Sequence, residues 1–212
     1  MDLYTKPDLE HSILITIDMQ NDFVQSSSPF AIEGTEEVIP NITQLLKCYR
    51  SLRYPILHVV RLYEANGSNS DLCRKNLIKS GAQIVTPGSN GSELVKEIRP
   101  TNYKKLNYEK LYKGLFQRIN LDEWIMYKPR WGAFYKTNLE SFLHQINIDT
   151  LVFTGCNFPN CPRTSIYEAS ERDFRIIMVS DAVSQIYERG ETELSNIGGY
   201  LYKTKDILSQ LR

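Results

Sequence analysis

The sequence has little to offer a polyanion. Its 212 residues carry 25 Lys and Arg against 25 Asp and Glu, a formal net charge of zero. Nothing electrostatic therefore points to nucleic acid or an anionic membrane as partner. No apolar run approaches the roughly 20 residues of a membrane-spanning helix. The N-terminal stretch MDLYTKPDLEHS is polar and lacks the apolar core of a secretory signal, so the expected location is cytoplasmic. The four cysteines, Cys48, Cys73, Cys156 and Cys161, have neither CxxC nor zinc-ribbon spacing. Free thiols in a reducing compartment are the default reading. There is no internal repeat and no low-complexity tract. Length and a hydrophobic content of 42% predict one domain, 1–212, with a substantial core.

What is present is an alternation of short apolar runs with amphipathic stretches. Residues 12–18, SILITID, are almost continuously apolar, as expected of a strand covered on both faces. Similar runs at 56–62, 123–128, 151–154 and 175–180, with a short one at 200–202, predict six strands. Helices are expected at 36–53, 71–79, 137–146, 164–172, 191–198 and 205–211. In the third, Thr137 and Glu140 have the spacing of a capping box. Strand–helix alternation predicts an α/β fold, a parallel sheet sandwiched between helices. Residues 64–120 are the least legible. Within them, 103–118, with three tyrosines and Leu106, Leu111 and Leu115, reads as an amphipathic helix, a lid or part of a subunit interface.

The chemistry concentrates in 149–163, DTLVFTGCNFPNCPR. A buried strand ends at Gly155, a turn follows, and Pro162 suits the first turn of a helix. Cys161 then lies at a helix N-terminus above a strand end, where free N–H groups and the helix dipole favour an anion. A thiol there is expected to have a lowered pKa and to act as nucleophile. The competing reading is a small buried residue in a turn. Two other strands end on ionisable residues, Asp18 and Lys128, and a parallel sheet would bring all three to one edge. Asp18 then suits a general base and Lys128 a cation that favours the thiolate. Backbone N–H groups of the 156–161 turn suit an oxyanion hole. Arg61 and Tyr63 are placed to face the same cleft, and His58 reads as a packed core residue. Trp131 and Phe134, after Lys128, read as pocket walls or as core packing.

Three blocks, LITIDMQNDF, KPRWGAFYKTNLESFL and DTLVFTGCNFPNCPRTSIYEASERDFRIIMVSDAVS, resemble the signature segments of the isochorismatase-like cysteine hydrolases. That family includes nicotinamidase, N-carbamoylsarcosine amidohydrolase and ureidoacrylate hydrolases. The resemblance covers most of the chain outside 64–120. It implies a three-layer α/β/α sandwich with a six-stranded parallel sheet and a catalytic set of Asp18, Lys128 and Cys161. It further implies a cis peptide at Cys156–Asn157 and an oxyanion hole from the N–H groups of Asn157 and Cys161. The activity implied is cysteine-dependent hydrolysis of a small amide, ureido or lactam C–N bond through a thioester. The alternative is a catalytically silent member acting as a binding or scaffold subunit. A small-molecule substrate, a pocket lined by Phe23, Trp131 and Phe134, no cofactor and a homo-oligomer are expected. The chain departs from nicotinamidases where they carry an Asp-x-His-x-His-like metal cluster; HVVRLYEANGSN stands there, so no metal is carried over. GCNFPNCPR also resembles the streptothricin hydrolase branch. Arg163 beside the nucleophile is read either as a binder of an acidic or ureido group or as an outward ion pair.

Overall fold

The structure, a computed structural model, describes residues 2–211. Ser12–Ile17 (β1) is buried at every position. Its side chains alternate between two apolar clusters, Leu14 facing one and Ile13, Ile15 and Ile17 the other. A strand of this kind needs cover on both faces, and helices supply it. Ile39–Leu52 (α2) turns Ile42, Leu45, Leu46 and Tyr49 into the first cluster, its stripe set by the 3.6-residue period. Thr204–Gln210 (α8) joins it there through Ile207. Leu139–Gln145 (α5), Cys161–Ser170 (α6) and Glu188–Asn196 (α7) close the second cluster with Leu139, Leu143, Ile166, Ala169 and Leu194.

The remaining strands are Ile56–Val60 (β2), Gln117–Asn120 (β3), Glu123–Tyr127 (β4), Thr150–Gly155 (β5), Arg175–Val183 (β6) and Tyr200–Tyr202 (β7). Their order is β3-β4-β2-β1-β5-β6-β7. All neighbours run parallel except β3 against β4. The sheet is thus seven-stranded and mostly parallel, one strand more than the six expected. The added strand falls in the region that resists reading. Most of 103–118 is not helical; only Tyr108–Tyr112 (α4) is, capped where Asn107 accepts from the Lys110 N–H at 3.0 Å. Gly114, at φ 73° and with its N–H on Leu111 O, ends it in the left-handed conformation. Gln117 and Ile119 then alternate inward, which is strand periodicity.

Two short helices complete the layers, Asn21–Val24 (α1) and Leu72–Lys79 (α3). The expected capping box is absent. Asn138 is the N-cap of α5 without a side-chain cap bond, Thr137 Oγ1 donates to Ala133 O, and Glu140 pairs with Arg172. The long loops between β2 and β3 are tied to the sheet by polar side chains. Buried Gln20 donates to Arg61 O at 2.8 Å and Ser92 O at 2.7 Å, and Asp22 accepts from the Val85 N–H at 2.6 Å. Among the described residues, no helix is long and apolar enough to cross a membrane.

Candidate active site

The chain leaves β1 for β2 on one side and reaches β5 on the other. Parallel sheets open a crevice at the carboxyl ends of such a reversal. Asp18 follows β1 there, turned by a left-handed backbone (φ 54°) and anchored by its N–H on Val59 O at 2.9 Å. Lys128 follows β4, its N–H on Val60 O at 3.0 Å. Cys161 is the first residue of α6. The structure brings the three side chains together. Lys128 Nζ lies 2.9 Å from Asp18 Oδ2 and donates to Cys161 Sγ at 3.2 Å. All three are buried, Lys128 completely. Asp18 Oδ1 is buried with no hydrogen-bond partner among the described residues.

The turn before Cys161 follows from Gly155. At φ 111° it adopts a backbone that L side chains rarely take, and a Cβ there would lie 2.3 Å from Ile17 O. The peptide Cys156–Asn157 is cis. Phe158 N–H bonds Ser184 O and Arg163 N–H bonds Phe158 O. The N–H groups of Asn157 and Cys161 make no hydrogen bond among the described residues. They remain donors for an oxygen placed above the thiol.

The expected acidic thiol is not what the structure gives. Burial pushes the Cys161 thiol up, the Asp18 charge adds to this, and Lys128 opposes it without prevailing, leaving the pKa at about 12. Burial alone would lower the Lys128 ammonium, but Asp18 and Cys161 beside it hold it above its ordinary value. Cys156, fully buried behind, is also pushed up by burial. At rest the site therefore holds a neutral thiol next to a charged ammonium.

A small cleft opens over these groups. Phe23 and Trp131 line it, and so do Arg61 and Tyr63. Phe134 does not: its ring packs 5.8 Å from Phe174 and under the Arg172 guanidinium, in the second apolar cluster. Arg163 points away, paired with Glu193 at 2.6 Å. The sequence reading missed Ile32, Arg74 and Asn160, which also line the cavity. No motif marks Ile32 and Arg74, which come from segments outside the strand-end pattern; Asn160 lies in the 156–161 turn, which was read only for its backbone N–H groups.

His58 lies inside the sheet, its Nδ1 2.7 Å from Thr16 Oγ1 and its Nε2 2.8 Å from Glu123 Oε1. Among the described residues, no group of three or more His, Cys, Asp or Glu is arranged to hold a metal. The cavity wall beyond β2 presents Arg61, Tyr63 and Arg74 instead. Guanidinium groups repel a cation and offer it no lone pair, so a nicotinamidase-type metal does not fit.

The isochorismatase domain model matches residues 12–125 and 102–197. The chain is 28% identical over 194 residues to an Arabidopsis thaliana protein described as a probable inactive nicotinamidase, covering 89% of this chain and 90% of that one. It is 24% identical over 204 residues to N-carbamoylsarcosine amidase of Arthrobacter sp, covering 93% and 70%. The crystal structure of an isochorismatase family protein from Desulfovibrio vulgaris superposes with a TM-score of 0.81 at 28% identity, covering 95% and 98%. Sheet order, strand-end residues and a domain match over most of the sequence agree: this chain belongs to the isochorismatase family.

Proposed function

We propose that the protein is a cysteine-dependent hydrolase cleaving a C–N bond of a small amide, ureido or lactam through a thioester on Cys161. The observation that carries this is the contact of Lys128 Nζ with Cys161 Sγ at 3.2 Å, made while the same ammonium holds Asp18 Oδ2 at 2.9 Å. A nucleophile, a base and an orienting cation from three distant segments meet at the rim of one small cavity. The likeness to an amidase, N-carbamoylsarcosine amidase, supports the choice of bond.

In this mechanism Asp18 takes the thiol proton as sulfur attacks the substrate carbonyl. Proton transfer and attack belong to one step, because the thiol begins protonated. Lys128 stays charged and balances the negative charge as it passes from carboxylate to sulfur. The oxyanion forms against the N–H groups of Asn157 and Cys161, which have no competing acceptor among the described residues. The C–N bond breaks, and protonated Asp18 gives its proton to the departing nitrogen. Asp18 then deprotonates a water, which attacks the thioester; the thiol leaves with its proton restored.

Incubation with a panel of small amides, ureido compounds and lactams tests this, with ammonia release and ring opening as readouts. Turnover that vanishes in Cys161→Ala, with an acyl adduct on the Cys161 peptide after acid quench, is expected. Undiminished turnover in Cys161→Ala would remove the mechanism. A silent family member serving as a binding subunit is the second reading, favoured by the description of the Arabidopsis relative as inactive. Iodoacetamide with peptide mapping separates the two. Asp18-dependent alkylation of buried Cys161 supports the hydrolase. A Cys161 still unmodified after exposed Cys73 has fully reacted supports the silent reading.

A further inference from the structure

Three cationic side chains line the cavity, Lys128, Arg61 and Arg74. Two have their counter-charge within the protein. Lys128 has Asp18 at 2.9 Å, and Arg61 has Asp71 at 3.4 Å together with the carbonyls of Leu62, Asn69 and Lys128. Arg74 has none. Among the described residues its guanidinium makes no ion pair and no side-chain hydrogen bond, and its Nε is buried without a partner. The acids nearby face other groups. Asp71 Oδ2 accepts from Tyr63 Oη at 2.7 Å and from Arg61, and Asp22 Oδ2 accepts from the Val85 N–H. Asp71 Oδ1 makes no hydrogen bond among the described residues and lies 3.8 Å from Arg130 Nε.

Aromatic rings surround Arg74 instead. Its guanidinium carbon lies 6.0 Å from the Phe23 ring centre, 5.9 Å from Tyr63 and 5.7 Å from Trp131. Rings attract and orient a guanidinium without using its in-plane N–H fork. That fork matches a carboxylate in a bidentate pair. We infer that Arg74 binds a carboxylate on the substrate, at the end remote from the scissile amide. The ligand class is a short acid-amide or ureido acid, its carbon spacer lying against Phe23, Ile32 and Trp131. A neutral or cationic amide leaves a partly buried guanidinium without a partner, which costs binding. The word substrate rests on the hydrolase reading; the anion site does not.

Calorimetric titration of the Cys161→Ala protein tests this without turnover. The acids are succinamate, glutaramate and N-carbamoylglycine; their neutral counterparts are butyramide, valeramide and N-ethylurea. At least one acid is expected to bind about tenfold or more tighter than its counterpart. Arg74→Gln in the same background should abolish that preference, chiefly by weakening the acids, and Arg74→Lys should restore part of it. Equal affinity within every pair, no binding by any compound, or an equal loss for both members in Arg74→Gln would overturn the inference. Such a failure leaves the hydrolase reading standing, and loss of the hydrolase reading leaves the titration result intact.

Discussion

β4 carries a buried charge at each end, and the two ends differ in what they leave over. At its first residue Glu123 accepts from Arg50 at 2.6 and 3.0 Å and faces His58 Nε2 at 2.8 Å, while His58 Nδ1 meets Thr16. No side-chain polar atom of Arg50, His58, Glu123 or Thr16 is both buried and unpartnered. Just beyond the other end, Lys128 joins Asp18 and Cys161, and there Asp18 Oδ1 and the N–H groups of Asn157 and Cys161 have no hydrogen-bond partner among the described residues. Burial and charge are common to both clusters. Unused hydrogen-bonding capacity beside a cavity belongs to one, and that separates a network that holds the sheet from a set of groups waiting for a ligand.

Four substitutions or conditions break or sharpen this contrast. The largest effect is expected from Cys161→Ala, which should lower kcat/KM by about 10⁴-fold or more while the melting temperature barely moves. Asp18→Asn keeps the shape and removes the base, and should cost about 10²- to 10⁴-fold in rate. A rate loss there matched by unfolding in circular dichroism would make this cluster structural as well. At the opposite end Glu123→Gln leaves Arg50 and His58 without their acid and should destabilise by about 3–5 kcal/mol in urea titration, with the rate of the folded fraction unchanged. The mildest lever is acid. Burial alone would raise the Glu123 carboxyl, but hydrogen bonds and charge from His58 and Arg50 hold it at about 2, below an ordinary value of 4.5. A lowered folded-state pKa means stability fully present above about pH 4.5 and lost as pH falls towards about 2. The amount at stake is about 3 kcal/mol, and Glu123→Gln should flatten that part of the pH–stability curve.

The sequence made the sheet legible where strands are covered on both faces. SILITI, ILHVV and TLVFTG are mostly apolar and fully buried because neither side meets water, and each is a strand. Asp18, Lys128 and Cys161 could be read because each directly follows a strand or opens the helix after one. The sheet edge was not legible: β3 is four residues long, with Gln117 and Ile119 as its inward positions, too short to outweigh the tyrosines before it. Residues 64–120 were opaque because Gln20, Asn21 and Asp22 hold them through hydrogen bonds to backbone groups distant in sequence. Such bonds leave no period. Arg74 was hidden too, one of three cations on a short helix, since its meaning comes from the rings and the cleft around it. The acidity of the thiol was misjudged because a helix terminus was weighed and burial was not.

Gly155 sits so close to Ile17 that even a methyl group has no room between them. The spacing of the strands that carry Asp18 and Cys161 is therefore a property of main chain against main chain, insulated from the side chains that wall the cavity. Libraries randomised at Ile32, Arg74 and Trp131 would explore new selectivities against an unmoving reaction geometry, whereas a change at Gly155 would disturb every reaction the scaffold might be evolved to perform.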